Sequence, residues 1–301
     1  MPKNLISIRD FSKDEILHIL DLAKEFEADR EQNFLAGKVV ACLFFEPSTR
    51  TRLSFEAAVN RLGARVIGFP DNRNTSQSKG ETLEDTIKIV SNYADMIVMR
   101  HPQQGAADIA ASVASVPVVN AGDGINQHPS QTLLDLYAIM KTQGRLDGLN
   151  IDMVGDLKYG RAVHSLVDAL MDFNPSFTFT SPDELLMPRK YIELLDEKKI
   201  AYKEVKDIEY GLNQCDILYM TRVQRERFPE IAEYDKVKDS YRLTASMLGG
   251  VKPTMKVLHP LPRVNEIATD VDDTPYAYYF QQAGGGMYIR MAIISYLLGY
   301  R

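Results

Sequence analysis

The segment FFEPSTRTRLSFE, residues 44–56, places the end of an apolar run directly before a cluster of serine, threonine and arginine. Beyond that cluster, apolar residues recur at helical spacing, at Phe55, Ala58, Val59 and Leu62. The segment therefore predicts a buried strand followed by a helix that begins between residues 48 and 52. Because aligned peptide dipoles make a helix N-terminus partly positive, Arg50 and Arg52 occupy an electrostatically unfavourable position, which a bound anion would relieve.

The composition is that of a soluble globular protein with room for two domains. Of the 301 residues, 45% are hydrophobic and 25% are charged, and the chain shows no low-complexity tract and no internal repeat. A net charge of -6 argues against nucleic acid and anionic membranes as partners, because both reward a basic surface. Any anion site must therefore be local.

The N-terminal segment and the two cysteines favour a cytoplasmic protein. The segment MPKNLISIRDFSKDE lacks the basic and apolar regions of a signal peptide, and no apolar run reaches membrane-spanning length. Cys42 and Cys215 each lie inside an apolar run, so we expect two small buried side chains in a reducing compartment. We expect neither a disulfide nor a metal site from them.

Short runs of β-type residues alternate with helical stretches along the whole chain. The predicted strands cover 38–45, 65–69, 95–99, 117–120, 149–154, 176–180, 200–204, 216–219 and 255–258. This alternation predicts an α/β fold of two domains that meet near residues 130–148, each with a mostly parallel sheet flanked by helices.

The chain ends are predicted to be helical as well. Ser12 and Glu15 form a capping box that begins a first helix, which runs to about residue 28. Gly284, Gly285 and Gly286 are interpreted as a turn, with a final helix over about 287–299.

Polar or basic side chains follow six of the predicted strands. The segments are PSTRTR, Arg100-His101, AGDGINQHPSQ, DLKYGR, TRVQRER and HPLPR. Ligands of open α/β sheets bind at the carboxyl ends of the strands, where these segments lie. The six segments are therefore candidates for one functional region.

Two kinds of anion site are suggested by the residue types. Residues 48–51 can be an N-cap with solvated arginines or a phosphate cradle of backbone N–H, hydroxyl and guanidinium donors, and the helix dipole favours the cradle. Arg161 and Arg222 suit carboxylates, which a guanidinium binds in a planar fork. Taken alone, His128 is equally compatible with a structural histidine, and Arg100 with a surface ion pair.

Several common chemistries lack their motifs. Arg161 and Ala162 stand where a nucleotide-binding phosphate loop needs Lys and Ser or Thr, and Gln127 replaces the last glycine of a dinucleotide fingerprint. The strand ends show no carboxylate dyad, no metal-ligand motif and no nucleophile triad. Transfer of an activated acyl group to an amine needs none of these.

At these residues the sequence resembles the aspartate carbamoyltransferase family, catalytic chain, over essentially its whole length. The matching segments are FFEPSTRTRLSFE, SKGETLEDT, MRHPQQGAA, NAGDGINQHPSQTLLDL, VGDLKYGRAVHSL, DILYMTRVQRERF and HPLPRVNEI. The resemblance implies a carbamoyl phosphate-binding domain at residues 1–135, with a C-terminal helix at 285–301 packing back on it, and an aspartate-binding domain at 149–284.

The resemblance also implies the reaction and the assembly. The reaction is transfer of the carbamoyl group of carbamoyl phosphate to the amine of L-aspartate, a step of de novo pyrimidine biosynthesis, by direct attack without metal or cofactor. The assembly is a homotrimer of catalytic chains with active sites shared between neighbouring subunits. Whether regulatory chains join the trimer stays open.

Carried over by position, the resemblance assigns most of the site to carbamoyl phosphate. The residues implied to bind it are Ser48, Thr49, Arg50, Thr51, Ser76, Lys79, Arg100, His128, Gln131, Leu261 and Pro262. The residues implied to act in catalysis are Arg50, Thr51, Lys79, Arg100 and His128. Ser76 and Lys79 would reach in from the neighbouring subunit, and Gln131 would hold the carbamoyl NH₂ together with the backbone carbonyls near Leu261 and Pro262.

The residues implied to bind aspartate are Lys79, Arg161, Arg222 and Gln224. Two alternatives remain. An ornithine carbamoyltransferase would share the first domain, but that family typically has cysteine after the histidine of H-C-L-P, whereas Pro260 follows His259 here. A non-catalytic, anion-sensing or scaffolding subunit would keep the fold without the expected residue at each assigned position.

Overall fold

The computed structural model describes residues 3–73, 75–225, 228 and 230–300. The chain divides into two compact units. Unit 1 comprises Met1–Tyr137 and Gly284–Arg301, and unit 2 comprises Ala138–Ala283. Both divisions fall inside helices.

Nine strands are present in the described residues. They are β1 (Val39–Phe44), β2 (Arg65–Phe69), β3 (Met96–His101), β4 (Val118–Asp123), β5 (Asn150–Val154), β6 (Ser176–Thr180), β7 (Ala201–Val205), β8 (Ile217–Met220) and β9 (Lys256–Leu258). Each predicted strand overlaps one of them, which confirms the predicted α/β alternation.

Ten α-helices lie before, between and after these strands in the described ranges. They are α1 (Lys13–Ala28), α2 (Thr49–Arg61), α3 (Leu83–Val90), α4 (Ala106–Val113), α5 (Pro129–Gln143), α6 (Arg161–Leu170), α7 (Arg189–Lys198), α8 (Ile208–Leu212), α9 (Ile231–Val237) and α10 (Tyr279–Leu297). The Ser12 and Glu15 capping box at the start of α1 is present as predicted.

Unit 1 contains a parallel sheet with strand order β2-β1-β3-β4. Apolar side chains of β1, β3, α3 and α4 form one buried cluster beside the sheet, including Leu43, Ile97 and Ile87. Since β1 pairs with β2 on one side and β3 on the other, the chain reverses its direction of sheet growth between β1 and β3. In open α/β sheets, ligands bind at such a switch point.

Unit 2 contains a parallel sheet with strand order β7-β6-β5-β8-β9. Its switch point lies between β5 and β8. A buried cluster that includes Val154, Leu218 and Tyr279 packs against the sheet. The two sheets confirm the predicted architecture.

The predicted turn at residues 284–286 is wrong, because these glycines lie inside α10, which begins at Tyr279. The physical reason is side-chain packing. A Cβ at Gly286 would overlap Arg290 Nη1 and approach Leu134, and a Cβ at Gly285 would lie 3.3 Å from the Tyr137 ring. The glycines therefore permit close approach of α10 and α5 inside unit 1.

No helix in the part of the chain that the structure describes combines the length and the apolar character that crossing a bilayer requires.

Candidate active site

The first turn of α2 carries the cluster that the sequence singled out. Ser48 is the N-cap residue, and Thr49, Arg50 and Thr51 are the first three helical positions. Among the described residues, the Ser48 hydroxyl caps no backbone N–H of the helix, and its first turn contains no acidic residue. The first N–H groups of a helix have no acceptor within the helix, and together with the hydroxyls of this turn and with Arg50 they form a concentrated set of hydrogen-bond donors for an anion.

Arg100 lies at the end of β3, beside the strand that leads into α2. Its backbone carbonyl accepts a hydrogen bond from Phe45 N at 2.8 Å, and its Nε donates to Glu46 Oε1 at 2.7 Å. Both side chains are largely shielded from solvent, with exposures of 16% and 23%. The ion pair fixes the Arg100 guanidinium next to the segment that precedes Ser48.

His128 follows β4 and is buried. Its loop is fixed by Asp123, a buried carboxylate that accepts hydrogen bonds from the N–H groups of Gly105 and Gln127 and from the side chains of Asn120 and Asn126. The Gly124 N–H donates to His101 O at 3.0 Å and so ties this loop to the end of β3. Ser130 Oγ lies 3.4 Å from His128 Nδ1.

Gln131 lies in the first turn of α5, and its backbone N–H donates to His128 O at 2.9 Å. Unit 1 thus gathers the α2 first turn, Arg100, His128 and Gln131 at the carboxyl ends of β1, β3 and β4. This is the edge of the sheet where the switch point predicts a ligand.

Ser76 and Lys79 lie in the connection between β2 and α3 of unit 1. They belong to the 3-10 turn Ser76–Lys79, which follows the edge strand β2, and both are exposed. Local hydrogen bonds hold the turn, such as Ser78 Oγ to Thr75 O at 2.7 Å. The turn presents a cation to solvent.

Arg161 opens α6 in unit 2, after Gly160 at the N-cap. The loop between β5 and α6 is organised by the buried Asp156, whose Oδ1 accepts from Tyr159 N at 2.9 Å. A Cβ at Gly155 would overlap Thr221 O, and the residue has a φ of 115°, so glycine is needed there.

Arg222 and Gln224 follow β8, the neighbour of β5 in the sheet, and both are half-buried. The Thr221 hydroxyl links the two strand ends, because it donates to Val154 O and accepts from Asp156 N, each at 3.0 Å. Burial raises the pKa of Asp156, and backbone N–H groups of Tyr159, Gln224 and Lys158 oppose that rise. One carboxylate therefore positions the loops of Arg161 and Gln224.

Leu261 and Pro262 follow β9 and are joined by a cis peptide bond. The buried imidazole of His259 fixes this segment, since its Nδ1 accepts from Leu261 N at 2.8 Å and its Nε2 lies 2.6 Å from Glu266 Oε1. Burial lowers the pKa of His259, and an accepting Nδ1 means that the ring is neutral with its proton directed at Glu266.

Sequence reasoning missed Asp123, Asp156 and Glu266, which position the loops without being basic or glycine-rich. Asp123 is the last residue of β4, and Asp156 is the second residue after β5. Position at the end of a strand is the signal that identified the neighbouring site residues. Asp123 and Asp156 lie in the polar segments AGDGINQHPSQ and DLKYGR, but an acid in such a segment does not by itself indicate which backbone groups it binds.

Parallel sheets with basic side chains near their switch points are typical of α/β proteins that bind ligands at the carboxyl ends of the strands. Residues 3–141 match the family model of the aspartate/ornithine carbamoyltransferase carbamoyl-P binding domain, and residues 147–297 match that of the Asp/Orn binding domain. The chain therefore belongs to the aspartate/ornithine carbamoyltransferase family.

Relatives and solved structures agree with this family. The aspartate carbamoyltransferase catalytic subunit of Phocaeicola vulgatus is 61% identical over 298 residues, which cover 99% of this chain and 95% of the relative. The catalytic subunit of M. jannaschii aspartate transcarbamoylase superposes with a TM-score of 0.92 at 51% identity, covering 99% and 98% of the two chains.

A third similarity is to a ligand complex. The aspartate transcarbamoylase of Trypanosoma cruzi in complex with carbamoyl phosphate and aspartate superposes with a TM-score of 0.93 at 38% identity, covering 97% of this chain and 96% of that one.

Proposed function

We propose that this chain transfers the carbamoyl group of carbamoyl phosphate to the amine of L-aspartate, giving N-carbamoyl-L-aspartate and phosphate, in pyrimidine biosynthesis. Unit 1 is the carbamoyl phosphate-binding unit and unit 2 the aspartate-binding unit. The observation that carries the proposal is the first turn of α2, where Arg50 and two threonines lie at the positive end of the helix dipole and the described turn contains no acid.

The phosphate group is bound by Ser48, Thr49, Arg50 and Thr51, because a dianion complements both the helix dipole and the guanidinium. Arg100 adds a second guanidinium, which Glu46 holds in place. Ionised donors of this kind also stabilise phosphate as the leaving group.

Thr51, Arg100 and His128 direct donors at the carbonyl oxygen of the carbamoyl group. As the aspartate amine attacks the carbonyl carbon, negative charge develops on that oxygen, and preorganised donors stabilise it. The bond from carbon to the phosphate oxygen then breaks, and the departing phosphate can take up the proton that the amine loses. Thr51 and His128 are buried, so their donors act where water competes little.

L-Aspartate is bound through its two carboxylates by Arg161, Arg222 and Gln224. Two guanidinium groups at the carboxyl ends of β5 and β8 suit a dicarboxylate, whereas the cationic side chain of ornithine would be repelled. The carbamoyl NH₂ is held by Gln131 and by the backbone carbonyls near Leu261 and Pro262.

Phosphate release from carbamoyl phosphate tests this function. We expect release that requires L-aspartate and is negligible with L-ornithine or without an acceptor. Release with ornithine would instead support the other branch of the family, and the absence of release with every acceptor would support a non-catalytic subunit.

We further infer a homotrimer in which Ser76 and Lys79 complete the site of the neighbouring subunit, where Lys79 also contacts aspartate. The exposed, locally bonded turn that carries them is suited to reach a second chain. Mixing Lys79→Ala protein with His128→Ala protein tests sharing: activity should return after subunit exchange, and unchanged inactivity of verified hybrid trimers would contradict it. The proposed location is the cytoplasm, in keeping with two free buried cysteines.

A further inference from the structure

A fully buried carboxylate lies one helical turn after Gln131 in α5. Asp135 is on α5, its side chain has no exposed surface, and its Oδ1 accepts a hydrogen bond from Gln131 Nε2 at 2.8 Å. Gln131 itself is 9% exposed. The contact joins a residue of the proposed carbamoyl site to the interior of unit 1.

The chemistry of this contact fixes the direction of the glutamine amide. An ionised carboxylate can only accept hydrogen bonds, so Gln131 must present its NH₂ group to Asp135. The opposite side of the amide, its carbonyl Oε1, is then the group left to face a ligand. That oxygen can accept a hydrogen bond from a ligand NH₂ but has nothing to offer a methyl group.

Arg290 supplies the positive charge that accompanies Asp135. This residue of α10 is 3% exposed, and burial lowers its pKa to about 10 while the charge of Asp135 opposes the shift. The guanidinium is therefore still cationic at neutral pH. Arg290 Nε makes no hydrogen bond within the described residues, so the cation acts on Asp135 through its electric field, and a nearby positive charge favours the ionised carboxylate.

The packing around Arg290 connects this pair to the phosphate-binding helix. The Arg290 guanidinium carbon lies 5.0 Å from the centre of the Phe55 ring on α2, a cation–π distance. The missing side chain of Gly286 makes the space that Arg290 Nη1 occupies. Arg290 thus contacts α2 and interacts with α5, the two helices that carry the proposed carbamoyl phosphate site.

We propose that Asp135 and Arg290 are positioning residues that lock the Gln131 amide with its carbonyl oxygen toward the carbamoyl NH₂, so that the site distinguishes carbamoyl phosphate from acyl phosphates without that NH₂. The proposal rests on the proposed function, in which Gln131 contacts the carbamoyl group. Neither Asp135 nor Arg290 needs to touch the substrate.

The test compares three probes: carbamoyl phosphate, acetyl phosphate, in which CH₃ replaces NH₂, and inorganic phosphate. In Asp135→Asn the partner can donate or accept, so the glutamine amide is free to reverse. We expect the preference for carbamoyl over acetyl phosphate to fall about 10-fold. This is the usual effect of leaving one buried polar group without its hydrogen-bond partner. Affinity for inorganic phosphate should stay unchanged.

A second variant keeps the test valid if Asp135→Asn does not fold. Asp135→Leu/Arg290→Met removes both buried charges together, so that neither is left behind without the opposite charge near it. It should lose the same preference. Asp152→Asn, which neutralises a buried carboxylate of unit 2, serves as the matched control and should keep it.

Gln131→Ala separates failure of this inference from failure of the proposed function. If Gln131→Ala keeps the preference for carbamoyl phosphate, the assignment of Gln131 itself is wrong. If Gln131→Ala loses the preference but both folded Asp135 variants keep it, the positioning role is wrong. If the Asp135 variants bind all three probes with equally reduced affinity, Asp135 and Arg290 only stabilise the fold, and the proposal is overturned.

Discussion

Two buried aspartates of unit 1 and two of unit 2 differ in how completely their oxygens are hydrogen-bonded. In unit 1, Asp123 accepts four hydrogen bonds, and Asp135 accepts from Gln131 and interacts with Arg290. In unit 2, Asp152 and Asp156 each have a buried Oδ2 that makes no hydrogen bond within the described residues. Satisfied carboxylates orient neighbouring groups at little cost, whereas partly satisfied ones destabilise the folded unit.

The same contrast applies to the two helices that begin with site arginines. The first turn of α2 contains no acid, and the nearby Glu46 is committed to Arg100. The start of α6 instead follows a loop built around the Asp156 carboxylate, which accepts a hydrogen bond from Tyr159 N two residues before Arg161. The positive charge at the start of α2 is therefore balanced less by the protein itself than the charge at the start of α6. This agrees with binding of a phosphate dianion in unit 1 and of single carboxylates in unit 2.

The largest effect is expected at α2. Arg50→Ala should lower kcat by about 10²- to 10³-fold, the usual scale for loss of one transition-state donor, with no change in Tm because the side chain is exposed. Steady-state kinetics and thermal unfolding measure both. Arg52→Ala is the matched control in the next turn, where Arg52 pairs with Glu56 at 3.6 Å, and its activity should stay within a few-fold of wild type.

Near-normal kcat in Arg50→Ala would mean that the start of α2 does not bind the phosphate and does not differ from the start of α6 in this respect. An equal loss in Arg52→Ala would show instead that general positive charge matters at α2.

The next effect concerns the stability of unit 2. Burial raises the pKa of Asp152 to about 7, and Thr180 Oγ1 donates to its Oδ1 at 2.8 Å. The folded chain then retains a proton that the unfolded chain loses above its ordinary value of 3.8, so stability falls as pH rises through this window and stays low above it. The loss should be on the order of 2–4 kcal/mol at pH 8.

Urea unfolding of wild type and Asp152→Asn at several pH values isolates this contribution. The difference in free energy of unfolding between the two proteins should shift in favour of Asp152→Asn as pH rises, because other titrating groups cancel. A pH-independent difference would mean that the buried carboxylates of the two units behave alike.

Strand positions were predictable because buried parallel strands are short apolar runs bounded by turn residues. The α2 cradle was predictable because cations conflict with the helix dipole. The carboxylates that orient the loops were not, since an acid at a strand end has no local signature until its donors are known. The helical position of the α10 glycines was not predictable, because the side chains that require glycine there, Leu134, Tyr137 and Arg290, approach them only in the folded chain.

A smaller effect is expected from the carboxylate beside the aspartate site. Asp156→Ala removes the acceptor that joins the loops of Arg161 and Gln224, and it should raise the KM for L-aspartate about 10-fold. Affinity for carbamoyl phosphate, measured by calorimetry, should not change. Asp156→Asn keeps one acceptor oxygen and should show a lesser increase; a larger increase than in Asp156→Ala would contradict the positioning role.

The smallest effects are expected in α10, where two glycines differ in their surroundings. Gly286→Ala should destabilise by about 1–3 kcal/mol, because the added Cβ displaces Arg290 from its place near Asp135. At Gly284, nothing lies within 4 Å of an added Cβ, so Gly284→Ala should stabilise the helix by about 0.5–1 kcal/mol. Thermal unfolding of both variants measures the difference, and equal shifts would show that Gly286 has no special packing role.

The placement of the two cysteines gives each unit its own chemical reporter. Cys42 lies in β1 and Cys215 follows α8, both are buried, and burial raises the pKa of each thiol, that of Cys42 to about 12. Only a thiolate reacts readily with an alkylating reagent. The rates at which the two sulfurs are alkylated should therefore time the transient opening of each unit separately, within one unmodified chain.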